Sequence, residues 1–262
     1  MKKIVALLMV FVMVLSTGIG VYALPAASQI SSEAQTLAAI RMLLGDTSAG
    51  VTPEYLAKPM TRLTAAILIL RLRGLENTAL AYLSEDNFPD VESYPWKEGK
   101  NIIAYLKANP QLGFRGDGNG NFKPSENMTE QAYYKVLLET LGYRQSTAQQ
   151  TGDFKWEETA AFARALGLRP QGKAVFTVDD LAFATVGALK THTKGGSKLI
   201  EILVDAGKVN KEAAIAYGLY VEQIEPLDIA TAAALNSRVI ELSLRKAAMT
   251  ASTSAVNVKD AA

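Results

Sequence analysis

The sequence predicts a mostly α fold, made of three helix-loop-helix repeats and followed by a short β segment. Two observations lead to the repeats: a motif that recurs at fixed spacing, and apolar residues that recur with the 3.6-residue period of a helix. The β segment is predicted because apolar and polar residues alternate near the C-terminus. Since one helix-loop-helix unit is too small to bury its apolar face, we expect the three repeats to share a core.

The first 23 residues have the organisation of a signal peptide. Lys2 and Lys3 precede an apolar run at 4–15, and small residues around a tyrosine at 21–23 fit a cleavage site. The apolar run is short for a transmembrane helix, although an uncleaved anchor is the alternative. We therefore predict a secreted protein that is cleaved after Ala23.

Composition excludes several classes of function. The chain has 27 Lys and Arg against 26 Asp and Glu, so loss of the two signal-peptide lysines leaves 25 basic residues. A chain so close to neutral is not typical of a nucleic-acid-binding protein. It has no cysteine and a single histidine, His192, which excludes Cys-His and multi-histidine zinc sites. We predict no catalytic residue, no metal and no cofactor.

The recurring motif is a Leu-Gly pair, a polar loop, a threonine, and an apolar helix that ends in glycine. In repeat one, Thr61 follows Gly45 by 16 residues and precedes Gly74 by 13. The same spacings in repeat two involve Gly113, Thr129 and Gly142. In the weaker third copy, Thr177 follows Gly167 by only 10 residues. Each threonine is placed to cap the N-terminus of a helix, and the glycines that follow are placed to end one.

The helices after the three threonines have a common pattern of inward positions. Offsets of 4, 7 and 8 residues from each threonine fall on one face of a helix. These positions hold Ala65, Leu68 and Ile69 in repeat one; Tyr133, Val136 and Leu137 in repeat two; and Leu181, Ala184 and Thr185 in repeat three. We also predict a first helix in each repeat, at 32–44, 95–108 and 156–166, and connecting helices at 77–83 and 197–206.

The C-terminal residues change in character from Pro226 onward. Ile240, Leu242 and Leu244 alternate with polar residues, which indicates a strand. Richness in alanine leaves a helix over 228–250 as the alternative. The 37 residues from 226 to 262 are far fewer than the roughly 100 of an immunoglobulin-type sandwich, so an incomplete β segment is expected.

Repeat two resembles the S-layer homology family. The matching residues are Phe88, Asp90, Val91 and Trp96; Leu112-Gly113-Phe114, Gly116-Asp117-Gly118, Phe122 and Pro124; and Met128-Thr129 with Leu141-Gly142. The resemblance covers residues 28–205 and is weaker in repeats one and three. It implies a pseudo-threefold helical bundle that anchors an exported protein to anionic, pyruvylated cell-wall polysaccharide, with other S-layer subunits as further partners. The tail resembles the start of an immunoglobulin-like domain of surface proteins.

These interpretations divide the chain into six segments. They are a signal peptide (1–23), repeat one (28–85), repeat two (86–150), repeat three (151–208), a linker (209–225) and the incomplete β segment (226–262). The leading hypothesis is a secreted protein of the cell wall or S-layer that binds wall polysaccharide. A structural S-layer or spacer module without glycan affinity is the alternative, and an enzyme with an unrecognised site is a third hypothesis.

The resemblance implies that Arg62, which follows the helix cap Thr61, is the main ligand-binding residue. A base at a helix start opposes the helix dipole, so this position favours a bound anion held by the guanidinium and the free N–H groups. A solvated surface arginine is the alternative. Repeat two has Glu130 at this position and repeat three has Val178 followed by Asp179, which suit the helix and oppose an anion.

Thr61, Trp96 and Asp117 complete the candidate ligand-binding residues. Trp96 opens the first helix of repeat two, as Trp156 opens that of repeat three, and each is either a sugar-binding aromatic or a core anchor. On the second helix of repeat two, Tyr134 follows the inward Tyr133 and is free to face outward.

Asp117 lies in the loop at 114–124, FRGDGNGNFKP, which has the composition of a calcium-binding loop. An EF-hand loop starting there needs glycine and glutamate where the sequence has Phe122 and Met128. We therefore expect a tight chain reversal, docked on the core by Phe122 and Pro124.

Overall fold

The structure is a computed structural model that describes residues 29–222, 229–236 and 239–244. The chain divides into two compact units, Met1–Tyr220 and Val221–Ala262. The predicted signal peptide lies outside the described residues. Within the described ranges, no helix is both long enough and apolar enough to cross a membrane.

The first unit is mostly helical, which confirms the predicted class. Its described part contains α1 (Ser32–Ala39), α2 (Pro53–Leu56), α3 (Arg62–Leu72), α4 (Glu76–Leu80), α5 (Lys97–Ala108), α6 (Glu130–Thr140), α7 (Thr159–Ala165), α8 (Val178–Lys190), α9 (Leu199–Asp205) and α10 (Lys211–Ala216). Short 3-10 helices lie at Pro89–Val91, Pro110–Leu112 and Trp156–Glu158. Helix α10 falls inside the segment that the sequence predicts as a linker.

Helices α3, α6 and α8 begin at the residues that the repeats predict. The hydroxyls of Thr61, Thr129 and Thr177 each accept a hydrogen bond from the backbone N–H three residues later. Gly74 and Gly142 follow α3 and α6 with φ of 64° and 93°, the left-handed conformation that ends a helix. The capping predictions are therefore confirmed.

Helix α1 is shorter than the predicted 32–44. Arg41 adopts a φ of 59°, and its N–H donates to the carbonyl of Ala38 at 3.0 Å. The next N–H, of Met42, donates to the carbonyl of Leu37 at 2.8 Å. These bonds satisfy the last carbonyls of the helix and turn the chain away.

The inward face predicted from the repeats forms the centre of the core. All nine predicted side chains are at most 2% exposed. The hydroxyls of Tyr133 on α6 and Thr185 on α8 lie 2.6 Å apart, which satisfies both polar groups inside the core. Tyr134 is 1% exposed, so the outward position considered for it is wrong. Trp96 and Trp156 are each 40% exposed, so neither is a core anchor.

Three segments distant in sequence meet in front of α3, α6 and α8. The N–H of Met60 donates to the carbonyl of Phe176 at 2.8 Å, and the carbonyl of Met60 accepts from the N–H of Met128 at 2.8 Å. Since each segment leads directly into a capping threonine, these bonds hold the three helix starts side by side. Helix α3 packs against α6, α6 against α8, and α8 against α1.

The loop at 114–124 is a chain reversal, as predicted. Asp117 Oδ1 accepts from the N–H groups of Asn119 and Asn121 at 2.9 and 2.8 Å. Asp90 accepts from the N–H groups of Phe122 and Lys123 at 2.9 and 2.6 Å. Phe122 and Pro124 are both buried, which docks the loop on the core.

The second unit contains two strands, β1 (Ile229–Asn236) and β2 (Val239–Leu244). They pair antiparallel, with Ala232 opposite Leu242 and Ala234 opposite Ile240. This confirms the strand prediction, and the alternative helix over 228–250 is wrong for the described residues. The rest of the predicted β segment lies outside them.

Candidate functional site

A groove of about 450 Å³ opens beside the N-terminal half of α6. The loop at 113–116 and the segment at 126–129 form much of its wall, and Arg62 reaches it from the start of α3. The other lining residues are Ala132, Lys135, Val136, Gln145, Thr147 and Trp156. The groove therefore combines charged, amide and apolar side chains in one concave surface.

Arg62 is held in the groove by two contacts. Its Nη2 donates to the carbonyl of Gly116 at 3.1 Å, and its guanidinium carbon lies 5.3 Å from the ring centre of Phe122. Its Nε is buried and has no hydrogen-bond partner among the residues that the structure describes. Burial lowers the pKa of Arg62, and the charges of Glu126, Asp117 and Asp90 oppose this shift. Arg62 therefore remains a cation with unused hydrogen-bonding capacity.

Lys135 is a second cation of the groove, and only 9% of the residue is exposed. Its Nζ lies 2.9 Å from Oε2 of Glu139, one turn later on α6, and 3.4 Å from the carbonyl of Gly113. No hydrogen bond of good geometry reaches that Oε2, so the pair is held mainly by charge. Because Glu139 balances Lys135, the net charge that a ligand meets comes mostly from other residues.

The apolar side of the groove consists of Met128, Val136 and Trp156. The carbonyl of Trp156 accepts from Nε2 of Gln131 and from the hydroxyl of Thr159, both at 2.7 Å. These bonds fix the backbone of the 3-10 turn. The partly exposed indole is therefore presented by a well-anchored segment.

The structure brings together three of the four predicted site residues. Arg62 lines the groove. Thr61 precedes Arg62 in the chain and caps α3, and its hydroxyl lies 2.8 Å from that of Thr64. Asp117 follows Gly116, the residue whose carbonyl Arg62 contacts. Hydrogen bonds from the N–H of Asn121 are the main cause that lowers the pKa of Asp117. Trp96 precedes α5 and is not among the residues that line the groove.

Sequence reasoning missed Lys135, Arg115 and Glu126, and it left Trp156 open between a sugar-binding aromatic and a core anchor. Lys135 carried a usable signal, because a lysine inside the apolar run YYKVLL, four residues before Glu139, is typical of a buried ion pair. Arg115 and Glu126 lie on loops, where no periodic pattern predicts which side chains converge.

Comparison with known families gives a partial match. A model of the N-terminal region of X-prolyl dipeptidyl aminopeptidase, PepX, matches residues 98–207, which is 110 of the 262 residues. The match begins in α5, includes the α6 side of the groove, and ends just after α9. No curated protein matches the chain.

This match overturns the S-layer homology assignment and the functions that came with it. The family model that matches is that of a peptidase region, so both the polysaccharide anchor and the S-layer spacer are wrong. The misleading motif has an architectural explanation. Its glycines end helices, its threonines start them, and Asp90 and Asp117 hold a loop. These tasks are common to many helical proteins and do not specify a ligand.

Proposed function

We propose that the helical unit is a non-catalytic module of an exported, peptidase-related protein, and that its groove binds short peptides with free termini. The observation that carries this proposal is that Arg62, with an unpartnered buried Nε, and the exposed indole of Trp156 line the same groove. The partial match to an X-prolyl dipeptidyl aminopeptidase region supports a peptide as the ligand.

The charges of the groove match the two ends of a peptide. Arg62 and Arg115 are cations of the lining that form no ion pair with the residues that the structure describes, and a guanidinium binds a carboxylate well. Glu126 is the one acidic residue of the lining; its side chain is 55% exposed and lies 3.6 Å from Lys123. In the proposed complex the arginines receive the peptide carboxylate and Glu126 receives the ammonium group.

The apolar side of the groove suits a proline residue. A proline ring is a compact apolar surface, and aromatic side chains are the usual partners of proline-rich segments. Trp156 supplies such a face, and Met128 and Val136 lie along the same groove. A volume of about 450 Å³ is within the usual range for small-ligand sites.

In this proposal the module binds a peptide but catalyses no reaction. The groove lining contains no serine, cysteine or histidine, which are the usual nucleophiles and bases of peptide hydrolysis. The single histidine, His192, is exposed beyond the end of α8 and lines a different cavity. We assign any peptidase activity to residues other than those of this groove.

An internal repeat of three helix-loop-helix units, related by a pseudo-threefold axis, is part of this proposal. The equivalent caps of α3, α6 and α8 and the hydrogen bonds around Met60 support it. A second cavity of about 430 Å³ lies beside α8 and is lined by 166–169. There Phe183 has the offset from its threonine that Lys135 has in the groove, so the proposed repeats place an aromatic side chain in one cavity where the other has a lysine.

The test is a titration of the full chain with the dipeptide Ala-Pro, in which calorimetry and indole fluorescence measure binding. Trp96→Phe leaves Trp156 as the only tryptophan and assigns the fluorescence change to the groove. We expect Arg62→Gln to weaken binding by about tenfold, and N-acetylation or C-amidation of the peptide to weaken it similarly.

Arg169→Gln is the matched control, because it removes an exposed arginine that lines the other cavity. We expect it to leave the peptide affinity unchanged. Absence of binding at millimolar peptide, or equal effects of Arg62→Gln and Arg169→Gln, would sink the proposal.

A further inference from the structure

A third cavity, of about 500 Å³, lies next to the groove and is lined by three arginines, Arg73, Arg115 and Arg144. It shares Arg115, Gln145 and Thr147 with the groove. The remaining lining residues are Gln111, Glu139, Gly142, Tyr143 and Gln150. We call this surface the arginine pocket.

Three chain segments converge to form the arginine pocket. Arg73 ends α3, Arg144 lies just beyond the glycine that ends α6, and Arg115 lies in the loop after Gly113. Nε of Arg73 donates to the hydroxyl of Thr140 at 3.3 Å, and Nε of Arg115 donates to the carbonyl of Pro110 at 3.2 Å. The N–H of Arg144 donates to Asp153 at 2.8 Å, which anchors its backbone. The arginines are therefore held at defined places.

The charge of the pocket is unbalanced. Glu139 is the one carboxylate of the lining, and it is already ion-paired with Lys135 at 2.9 Å. Three guanidinium groups thus converge on a concave surface of a chain whose net charge is only +1. An anion bound in the pocket would therefore meet more positive than negative charge from the lining.

The pocket also contains an unsatisfied donor. Nη2 of Arg73 is buried and, within the described part of the chain, has no hydrogen-bond partner. Burial is the main cause that lowers the pKa of Arg73, and Glu139 opposes the shift. A buried donor without a partner costs about 1–3 kcal/mol, and a bound acceptor removes this cost. The amides and hydroxyls of the lining add further donors around it.

We propose that the arginine pocket binds a multiply charged oxyanion of the phosphate class. Three guanidinium groups can donate to several oxygens of one phosphoryl group, and Arg73 supplies the donor that is otherwise unused. The single carboxylate of a peptide offers too little charge to neutralise the cluster. The arginine pocket therefore differs from the peptide groove in its ligand, although the two share Arg115, and this inference does not depend on the proposed function.

The test is calorimetric titration of the full chain with pyrophosphate, and with sulfate as a second probe. Arg115 and Arg144 are exposed, so Arg115→Gln and Arg144→Gln should fold normally, which thermal unfolding verifies. We expect each variant to weaken pyrophosphate binding about tenfold, and added salt to weaken it in the parent protein. Sulfate should bind more weakly than pyrophosphate because it carries less charge.

Two control variants separate this site from the others. Arg169→Gln removes one positive charge at the cavity beside α8. Arg62→Gln removes one in the peptide groove, at a residue that does not line the arginine pocket. We expect each to change the pyrophosphate affinity by less than about twofold. No binding at millimolar pyrophosphate, or equal weakening by all four variants, overturns the proposal. Loss of peptide binding with retained pyrophosphate binding refutes only the peptide groove.

Discussion

Oε1 of Glu130, at the start of α6, accepts the backbone N–H of Gln171 at 2.7 Å. The second oxygen accepts the N–H of Gly172 at 2.5 Å, so one carboxylate holds the loop in front of α8. Arg62, at the equivalent position of α3, bonds the loop carbonyl of Gly116 instead. The charge after each cap is thus matched to the loop group that it contacts, a carbonyl for the cation and N–H groups for the anion.

Replacement of Glu130 should destabilise the helical unit. We expect Glu130→Ala to lower the free energy of unfolding by about 1–3 kcal/mol and Glu130→Gln by about 1 kcal/mol, because the amide keeps one acceptor. Urea unfolding measures both. Glu157→Ala, at an exposed acid of a helical turn, is the control and should cost less than about 0.5 kcal/mol. Equal losses in Glu130→Ala and Glu157→Ala would show that the loop bonds contribute nothing.

The buried contact between Tyr133 and Thr185 is suited to a double-mutant cycle. Tyr133→Phe and Thr185→Val each remove one hydroxyl with little change of shape, and each should cost about 1–2 kcal/mol. The double variant should lose less than the sum of the two, because neither hydroxyl is then left unpaired. Strict additivity in urea unfolding would contradict a hydrogen bond between them.

Substitution of two residues that end helices should change the stability of the fold in opposite directions. Gly142 has a φ of 93°, and an added Cβ would meet only Lys194, at 3.4 Å, so Gly142→Ala tests the backbone alone. We expect a loss of about 1 kcal/mol. Arg41 has a φ of 59° in the same role after α1, and Arg41→Gly should stabilise by about 0.5–1 kcal/mol. A gain in stability for Gly142→Ala, measured by thermal unfolding, would contradict this reasoning.

Asp153 should make stability depend on pH. A hydrogen bond from Lys194 Nζ at 2.6 Å is the main cause that lowers the pKa of Asp153, and the N–H of Arg144 adds to it. A carboxylate with a lowered pKa stabilises the fold above its unfolded pKa of about 4 and loses this effect as pH falls through the folded pKa. Asp153→Asn should therefore lower the Tm at pH 7 by about 1–3 °C and leave it unchanged near pH 2.

The matched control for this pH experiment is Asp86→Asn. Its carboxylate is 82% exposed and pairs with Lys107 at 2.6 Å, so the change in Tm at pH 7 should be smaller than for Asp153→Asn. A difference between wild type and Asp153→Asn that stays constant from pH 7 to pH 2 would rule out titration of Asp153 as its cause.

The predicted signal peptide can be tested by identifying the first residue of the mature protein. If the signal peptide is cleaved as we propose, the secreted chain begins at Leu24, and N-terminal sequencing or intact-mass measurement reads this directly. Replacement of Lys2 and Lys3 by glutamate should reduce secretion, because the positive n-region is required. A mature chain that retains Met1 would show an uncleaved segment instead.

Much of the helical unit could be predicted from the sequence. Repeated spacing identified the three capping threonines, Gly74 and Gly142, and a 3.6-residue period identified the buried face of α3, α6 and α8. These features are local, so residues close in the chain determine them. The end of α1 was missed because the turn after it uses Arg41 in place of glycine, and no residue preference marks that position.

The candidate site was less predictable than the fold. Arg62 was identified through the family resemblance, supported by the unfavourable position of a base at a helix start, but the walls of the groove come from loops and from three distant segments. The exposure of Trp156 depends on how a 3-10 turn packs, which no period reveals. Resemblance of motifs led to the wrong family, because glycines and threonines that shape a loop recur wherever that loop is useful.

The position of Met60 has a consequence for how this unit can be divided. Its N–H and its carbonyl bond to Phe176 and Met128, which lie more than 60 residues further along the chain. A fragment that stops before Phe176 keeps the bond to Met128 but leaves the N–H of Met60 without its partner, in the segment that leads into α3. We therefore expect such a fragment to be less stable than the complete helical unit, although the cut lies far from α3 in the sequence.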